Sequence, residues 1–142
     1  MNWELIKKSE KLRADMQSAG MVIMQPFYEK HGMNYLKLAI ISEAEENDNL
    51  TLNALSRSVS KATANMSVVV THLVNDGYLK KVPSAYDGRV TYIQLTKKGK
   101  KLLEASHDYV VEKYSDIMDG DKELQDLIEA SEAYLAKIAP YR

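Results

Sequence analysis

Apolar residues recur at helical spacing over most of this chain, and the pattern changes to strand-like alternation only once. From residue 3 to about 28, Leu5, Leu12, Met16, Ala19, Ile23 and Phe27 fall on one side of a predicted helix. Pro26 should kink or end it, and Gly32 marks the break. Asn34 can cap a second helix whose stripe is Leu36, Ala39, Ile40 and Ala44. A polar loop, 45–49, leads to Thr51, which caps a short helix with Leu52, Leu55 and Val59 inside. The next helix buries Met66, Val69, Val70 and Leu73 and stops at Gly77; Ser60 and Thr63 both suit its cap position. Strands are predicted at about 78–82 and 89–95, joined by a turn carrying Asp87, Gly88 and Arg89. Thr96 caps a long helix with Leu102, Leu103, Val110, Tyr114 and Ile117. Gly120 interrupts it before a last helix, 121–138, striped by Leu124, Leu127, Ile128, Tyr134, Leu135 and Ile138.

This order predicts a mainly α chain with one small β-hairpin. At 142 residues it fits a single domain, able to bury roughly 70% of its unfolded surface. The formal charge of −1 hides a strong asymmetry. Residues 77–101 carry seven basic groups against one acidic, whereas residues 102–142 carry four against ten. A basic block coinciding with the hairpin points to a local anionic partner. With no cysteine, disulfides and thiolate metal sites are excluded. The charged N-terminus lacks the apolar run of a signal peptide, and no stretch approaches the ~20 apolar residues of a membrane span, so a soluble, cytoplasmic protein is expected.

The helix before the hairpin has an unusual outer face. Ala64, Ser67, Val68, Thr71 and Asn75 are small, weakly polar and uncharged, which suits a surface that meets a partner better than one that meets water. A hairpin tipped with arginine beside such a helix has a shape suited to gripping a nucleic-acid duplex.

Taken together, the order of elements and their residues resemble the MarR family of winged-helix transcription regulators. The matching residues are Leu52 and Leu55 in the short helix, and Met66, Ser67 and Leu73 in the next. Gly77, Tyr78 and Leu79 match at the turn into the wing, Asp87 and Arg89 at its tip, and Leu95-Thr96-Lys97-Lys98-Gly99 after it. The motif-bearing part covers about residues 50–104. The resemblance implies a winged helix-turn-helix over 34–100 that binds DNA, with 1–31 and 101–142 as dimerisation helices of one MarR-like unit. It also implies a homodimer on a palindromic operator with half-sites about 10 bp apart. It implies repressor or activator activity modulated by a small ligand, and the expectation is a repressor that leaves its operator when a small-molecule effector binds.

Carried over to this chain, the base-reading candidates are Asn65, Ser67, Val68 and Thr71, with Lys61 and Thr63 near phosphates. Asn65 could read adenine, and its rival role, like that of Thr63, is to cap the helix. Arginines common in the family are replaced here by Val68 and His72, and no lysine or arginine lies between Lys61 and Lys80. Readout should therefore lean on the wing and on DNA shape. Arg89 would enter a narrow minor groove, held by Asp87, with Gly88 allowing the sharp turn between them. Lys80, Lys81, Lys97 and Lys98 would bind phosphates.

Enzymatic readings find little support. His31, His72 and His107 are scattered, and no glycine-rich phosphate loop or nucleophile elbow is present. Glu104, His107 and Asp108 could form part of a metal site but read better as an exposed helix face. Met16, Met21, Met24 and Met33 could line an effector cavity, though core packing suits them better. No cofactor, metal or catalytic residue is expected, and no effector residue is identified. The rival reading from another class is a ligand-binding or protein-interaction module that kept the winged-helix fold and lost specific DNA binding.

Overall fold

The computed structural model describes residues 1–59 and 65–141. Six helices and one hairpin appear among them in the expected order: α1 (Trp3–His31), α2 (Tyr35–Glu46), α3 (Leu52–Ser58), α4 (Met66–Asn75), β1 (Leu79–Pro83), β2 (Thr91–Leu95), α5 (Lys97–Ile117) and α6 (Asp121–Ile138). The chain divides into two compact units, Met1–His107 and Asp108–Arg142, with the division inside α5.

Side-chain caps set several boundaries. Asn2 Oδ1 accepts from Glu4 N at 2.9 Å, Asn34 Oδ1 from Lys37 N at 2.8 Å, and Thr51 Oγ1 from Ala54 N at 3.1 Å. Each satisfies a helix N-terminal donor that has no partner within the helix. The α1 helix does not end at Pro26 but continues to His31 and closes at Gly32, whose φ is 62°. Phe27 and Tyr28, just beyond the proline, are buried and hold that last turn in place. The preceding turns, 3–22, bury no residue.

The core of the first unit is compact and apolar. Ile40, Ile41, Leu55 and Leu73 are completely buried, and Leu50, Val70, Leu79, Ile93 and Leu103 nearly so. Ile41 lies outside the stripe expected for α2, because this short helix is covered on more than one side. Leu50, between the polar loop and the Thr51 cap, accepts from Ile93 N at 2.7 Å through its carbonyl and adds a one-residue bridge to the hairpin edge. That bridge ties the start of α3 to the wing.

The two strands are antiparallel with Leu79 opposite Leu95 and Lys81 opposite Ile93. Leu79 and Ile93 are buried in the core, while Lys80 on the opposite face and Lys81, on the same face opposite Ile93, are exposed. Beyond His107 the α5 helix keeps Val110 and Tyr114 half-buried, while Ile117 is exposed. No α6 residue is buried. Among the described residues no helix is long and apolar enough to cross a membrane.

Candidate nucleic-acid interface

The α4 helix is built to show one face. Met66, Val70 and Leu73 are buried at i, i+4 and i+7, and Val69 is only half-buried. That spacing turns Ser67, Val68, Thr71, His72 and Asn75 outward, and all five are exposed. Its cap is neither Ser60 nor Thr63 but Asn65, whose Oδ1 accepts from Ser67 N at 3.2 Å and from Ser67 Oγ at 2.8 Å. The amide oxygen of Asn65 is therefore engaged at the helix start, which favours the capping role over adenine reading. Thr71 Oγ1 donates to Ser67 O at 2.7 Å, directing its hydroxyl hydrogen along the helix. Lys61 and Thr63 lie outside the described residues, as do Ser60 and Ala64.

The C-terminus of α4 closes with a paired motif. Tyr78 N donates to Leu73 O at 3.0 Å and Gly77 N to Val74 O at 3.0 Å, with Gly77 at φ 85°. This is the Schellman arrangement, and it needs a residue free of a Cβ penalty at the left-handed position. The chain leaves it directly into β1. Thr96 secures the other side of this junction. Its Oγ1 lies 2.6 Å from Gly77 O and 3.0 Å from Tyr78 O, and it accepts from Gly99 N at 3.1 Å. One hydroxyl thus joins the end of α4, the base of the wing and the first turn of α5.

Lys98 is committed to the same junction. Its Nζ donates to Asp76 O at 2.6 Å and stands 4.5 Å from the Tyr78 ring centroid. A cation at these carbonyls offsets the negative end of α4. Lys98 thus has an internal partner while its side chain remains exposed. Lys80, Lys81 and Lys97 are exposed, and none of them forms an ion pair among the described residues.

At the wing tip the expected pair is present. Arg89 Nε lies 3.1 Å from Asp87 Oδ1 and its Nη2 3.3 Å from Oδ2, while Arg89 N donates to the same Oδ1 at 3.0 Å. These bonds hold the Asp87 carboxyl below the usual carboxylate range, the side-chain bond from Arg89 being the larger cause and its backbone bond the next. Gly88 does not have a positive φ, so the turn is made by the Asp87 side chain rather than by glycine freedom. Arg89 remains 91% exposed and available to a partner.

Two features of this surface escaped sequence reasoning. Ser84 Oγ accepts from Tyr86 N at 3.2 Å and Asp87 N at 3.3 Å, which stiffens the tip. Tyr86 projects from it fully exposed. An aromatic residue inside a Ser-Ala-Tyr-Asp-Gly-Arg turn, outside both strands, was the available signal. Core packing holds for Met33, which is buried, but not for Met16 and Met21, which are half exposed. Ala44, Glu45, Asp48, Gln94, Leu95, Thr96, Lys97 and Lys100 line an open cleft where α2, β2 and α5 meet. Among the described residues no three metal-ligating side chains converge.

A helix with a bare outer face, backed by a short helix and followed by a stiff two-stranded ribbon, defines a winged helix-turn-helix. A MarR-like transcription regulator from Bacillus cereus has the same fold, with a TM-score of 0.68 at 17% identity over 91% of this chain and 99% of its own. Reduced AbfR bound to DNA matches at a TM-score of 0.71 and 18% identity over 98% of this chain and 99% of its own, and AbfR has also been solved from Staphylococcus epidermidis. NadR in complex with 4-hydroxyphenylacetate matches at a TM-score of 0.69 and 21% identity, covering 92% and 94% of the two chains. Among curated protein sequences none matches. The resemblance to MarR regulators is thus borne out in the fold. The chain belongs to the SarA/Rot family of transcriptional regulators, whose model matches residues 22–106.

Proposed function

We propose that this regulator binds duplex DNA as a homodimer, reads it by shape more than by base-edge hydrogen bonds, and represses transcription until a small molecule releases it. The single observation that carries the reading is the wing: an exposed guanidinium held by Asp87 at the tip of a ribbon whose shaft exposes Lys80 and Lys81. Beside it, α4 offers Ser67, Val68 and Thr71 to the major groove without a formal charge. Lys97 joins Lys80 and Lys81 as a phosphate contact, and residues 34–100 form the DNA-binding part.

The apolar surface left bare on the terminal helices supports the dimer. Trp3, Leu5, Leu12, Met16 and Val22 of α1 are each at least half exposed, and α6 exposes Leu127, Ile128, Tyr134 and Leu135. Stripes of this length are costly in water and are covered in stable assemblies. The cleft beside Lys97 and the base of β2 is where a ligand would reach both the wing and α5.

A selection from random duplexes tests the core of the proposal. A two-fold palindrome with half-sites about 10 bp apart is the expected product. In that site Arg89→Ala should weaken binding by roughly 1–3 kcal/mol. The uncharged α4 face also favours a second reading, an interaction module without sequence-specific DNA binding. Failure to enrich any duplex would establish that reading and end the first.

A further inference from the structure

We infer that Tyr86 is a minor-groove contact of the wing, its ring packing on the deoxyribose walls next to the Arg89 guanidinium. The inference rests on the duplex-binding reading above and adds a residue and a mode of contact to it.

The tip from Ser84 to Val90 is held from within. Ser84 N donates to Val90 O at 2.8 Å, and Val90 N to Asp87 O at 3.0 Å. Inside that closure, the Ser84 hydroxyl accepts from Tyr86 N and Asp87 N, and the Asp87 carboxylate accepts from Arg89 N. Side chains thus reinforce the turn on both sides of Tyr86, which sits on pre-organised backbone. The residue is 100% exposed and so contributes nothing to the packing of the folded subunit. A large ring presented in this way gains free energy only when a partner covers it. Tyrosine also loses little conformational freedom on contact, having two side-chain torsions to order.

Electrostatics favour the same conclusion. Between Ser84 and Val90 the charged residues are Asp87 and Arg89, and they pair with each other. The tip is therefore close to neutral, and long-range attraction to phosphates comes from Lys80 and Lys81 further down the ribbon. A neutral tip must hold its groove through fit and desolvation. The walls of the minor groove are sugar edges, which offer apolar surface to a ring flanking an inserted arginine. Two of the five guanidinium N–H donors are used on Asp87, and the others are left for groove acceptors.

The test uses the full chain and the duplex recovered by selection. Binding of wild type, Tyr86→Ala, Tyr86→Phe and Arg89→Ala is measured by fluorescence anisotropy, alongside thermal melting of each protein. Tyr86→Ala should lose affinity about tenfold, the equivalent of ~1.4 kcal/mol, with an unchanged melting temperature. Tyr86→Phe should bind within about twofold of wild type, because the ring and not the hydroxyl makes the contact. Hydroxyl-radical footprints should show the sugars under the wing protected by wild type and cleaved with Tyr86→Ala. If Tyr86→Ala binds as wild type while Arg89→Ala weakens, the inference fails and duplex binding stands. If Tyr86→Phe loses as much as Tyr86→Ala, ring packing is overturned. If wild type selects no duplex at all, the underlying reading fails and takes this inference with it.

Discussion

Replacing Gly99 with alanine should lower the stability of this regulator by roughly 1–3 kcal/mol, a figure that follows from overpacking and stretched Thr96 bonds, offset by helix propensity. An ideal Cβ at Gly99 would stand 2.3 Å from Tyr78 O and 2.6 Å from Leu95 Cδ1. The Leu95 methyl can rotate away. The Tyr78 carbonyl cannot, because it accepts from Thr96 N at 3.2 Å and lies 3.0 Å from Thr96 Oγ1. A carbon needs about 3.3 Å from a carbonyl oxygen, so the first turn of α5 must retreat by roughly 1 Å. Overpacking of this kind costs about 1–3 kcal/mol, and stretching the Thr96 bonds adds about 1 kcal/mol. Alanine returns at most about 1 kcal/mol through its better helix propensity. At roughly 3 °C per kcal/mol for a chain of this length, the melting temperature should fall by about 3–9 °C. The assay is thermal unfolding by circular dichroism, at matched protein concentration because association raises apparent stability. Gly88→Ala is the control: nothing lies within 4 Å of its added Cβ, and its φ is not positive. A Gly99→Ala melting temperature indistinguishable from that of the control would refute the reasoning.

Three other outcomes test the site residue by residue. Lys81→Met should reduce the slope of log affinity against log salt by about 0.9, whereas Lys98→Met should leave the slope unchanged and lower the melting temperature. Equal slopes for both variants would show that Lys81 touches no phosphate. Asp87 has a lowered folded-state pKa, so its pairing with Arg89 is fully present above the ordinary carboxylate range. That pairing is lost as pH falls through the lowered value. A carboxyl titration by NMR should therefore show an upward shift of the Asp87 midpoint in Arg89→Ala, and identical midpoints would contradict the pair. Asn65→Ala should cost about 1 kcal/mol of stability through loss of the cap. Asn65→Ser keeps a capping oxygen, so reduced DNA affinity with normal stability in that variant would restore a base-reading role.

The motif Leu95-Thr96-Lys97-Lys98-Gly99 shows how a pattern becomes a physical requirement. In sequence it was one element of a family resemblance. In three dimensions Thr96 joins three chain segments through one oxygen, Lys98 neutralises the end of α4, and Gly99 leaves room for Tyr78. Its position in a basic run suggested a phosphate contact for Lys98. Only the path of the chain showed that Asp76, 22 residues earlier, brings its carbonyl to that ammonium.

By itself the chain determined the helices and the hairpin, because their signals are local: apolar spacing at 3.6 or 2 residues, Asn34 and Thr51 as caps, Gly77 as a stop, and Asp87 two residues before Arg89. These interactions form between neighbours and need no knowledge of the rest of the fold. Tertiary structure decided what depends on distant segments meeting. It carried α1 past Pro26 through the burial of Phe27 and Tyr28, put Leu50 against the edge of the wing, and set Lys98 on α4. It also left Tyr86 bare at the tip, since exposure depends on what every other residue fails to cover. Periodicity reports which side of an element is apolar; which side is covered depends on where the other elements come to rest.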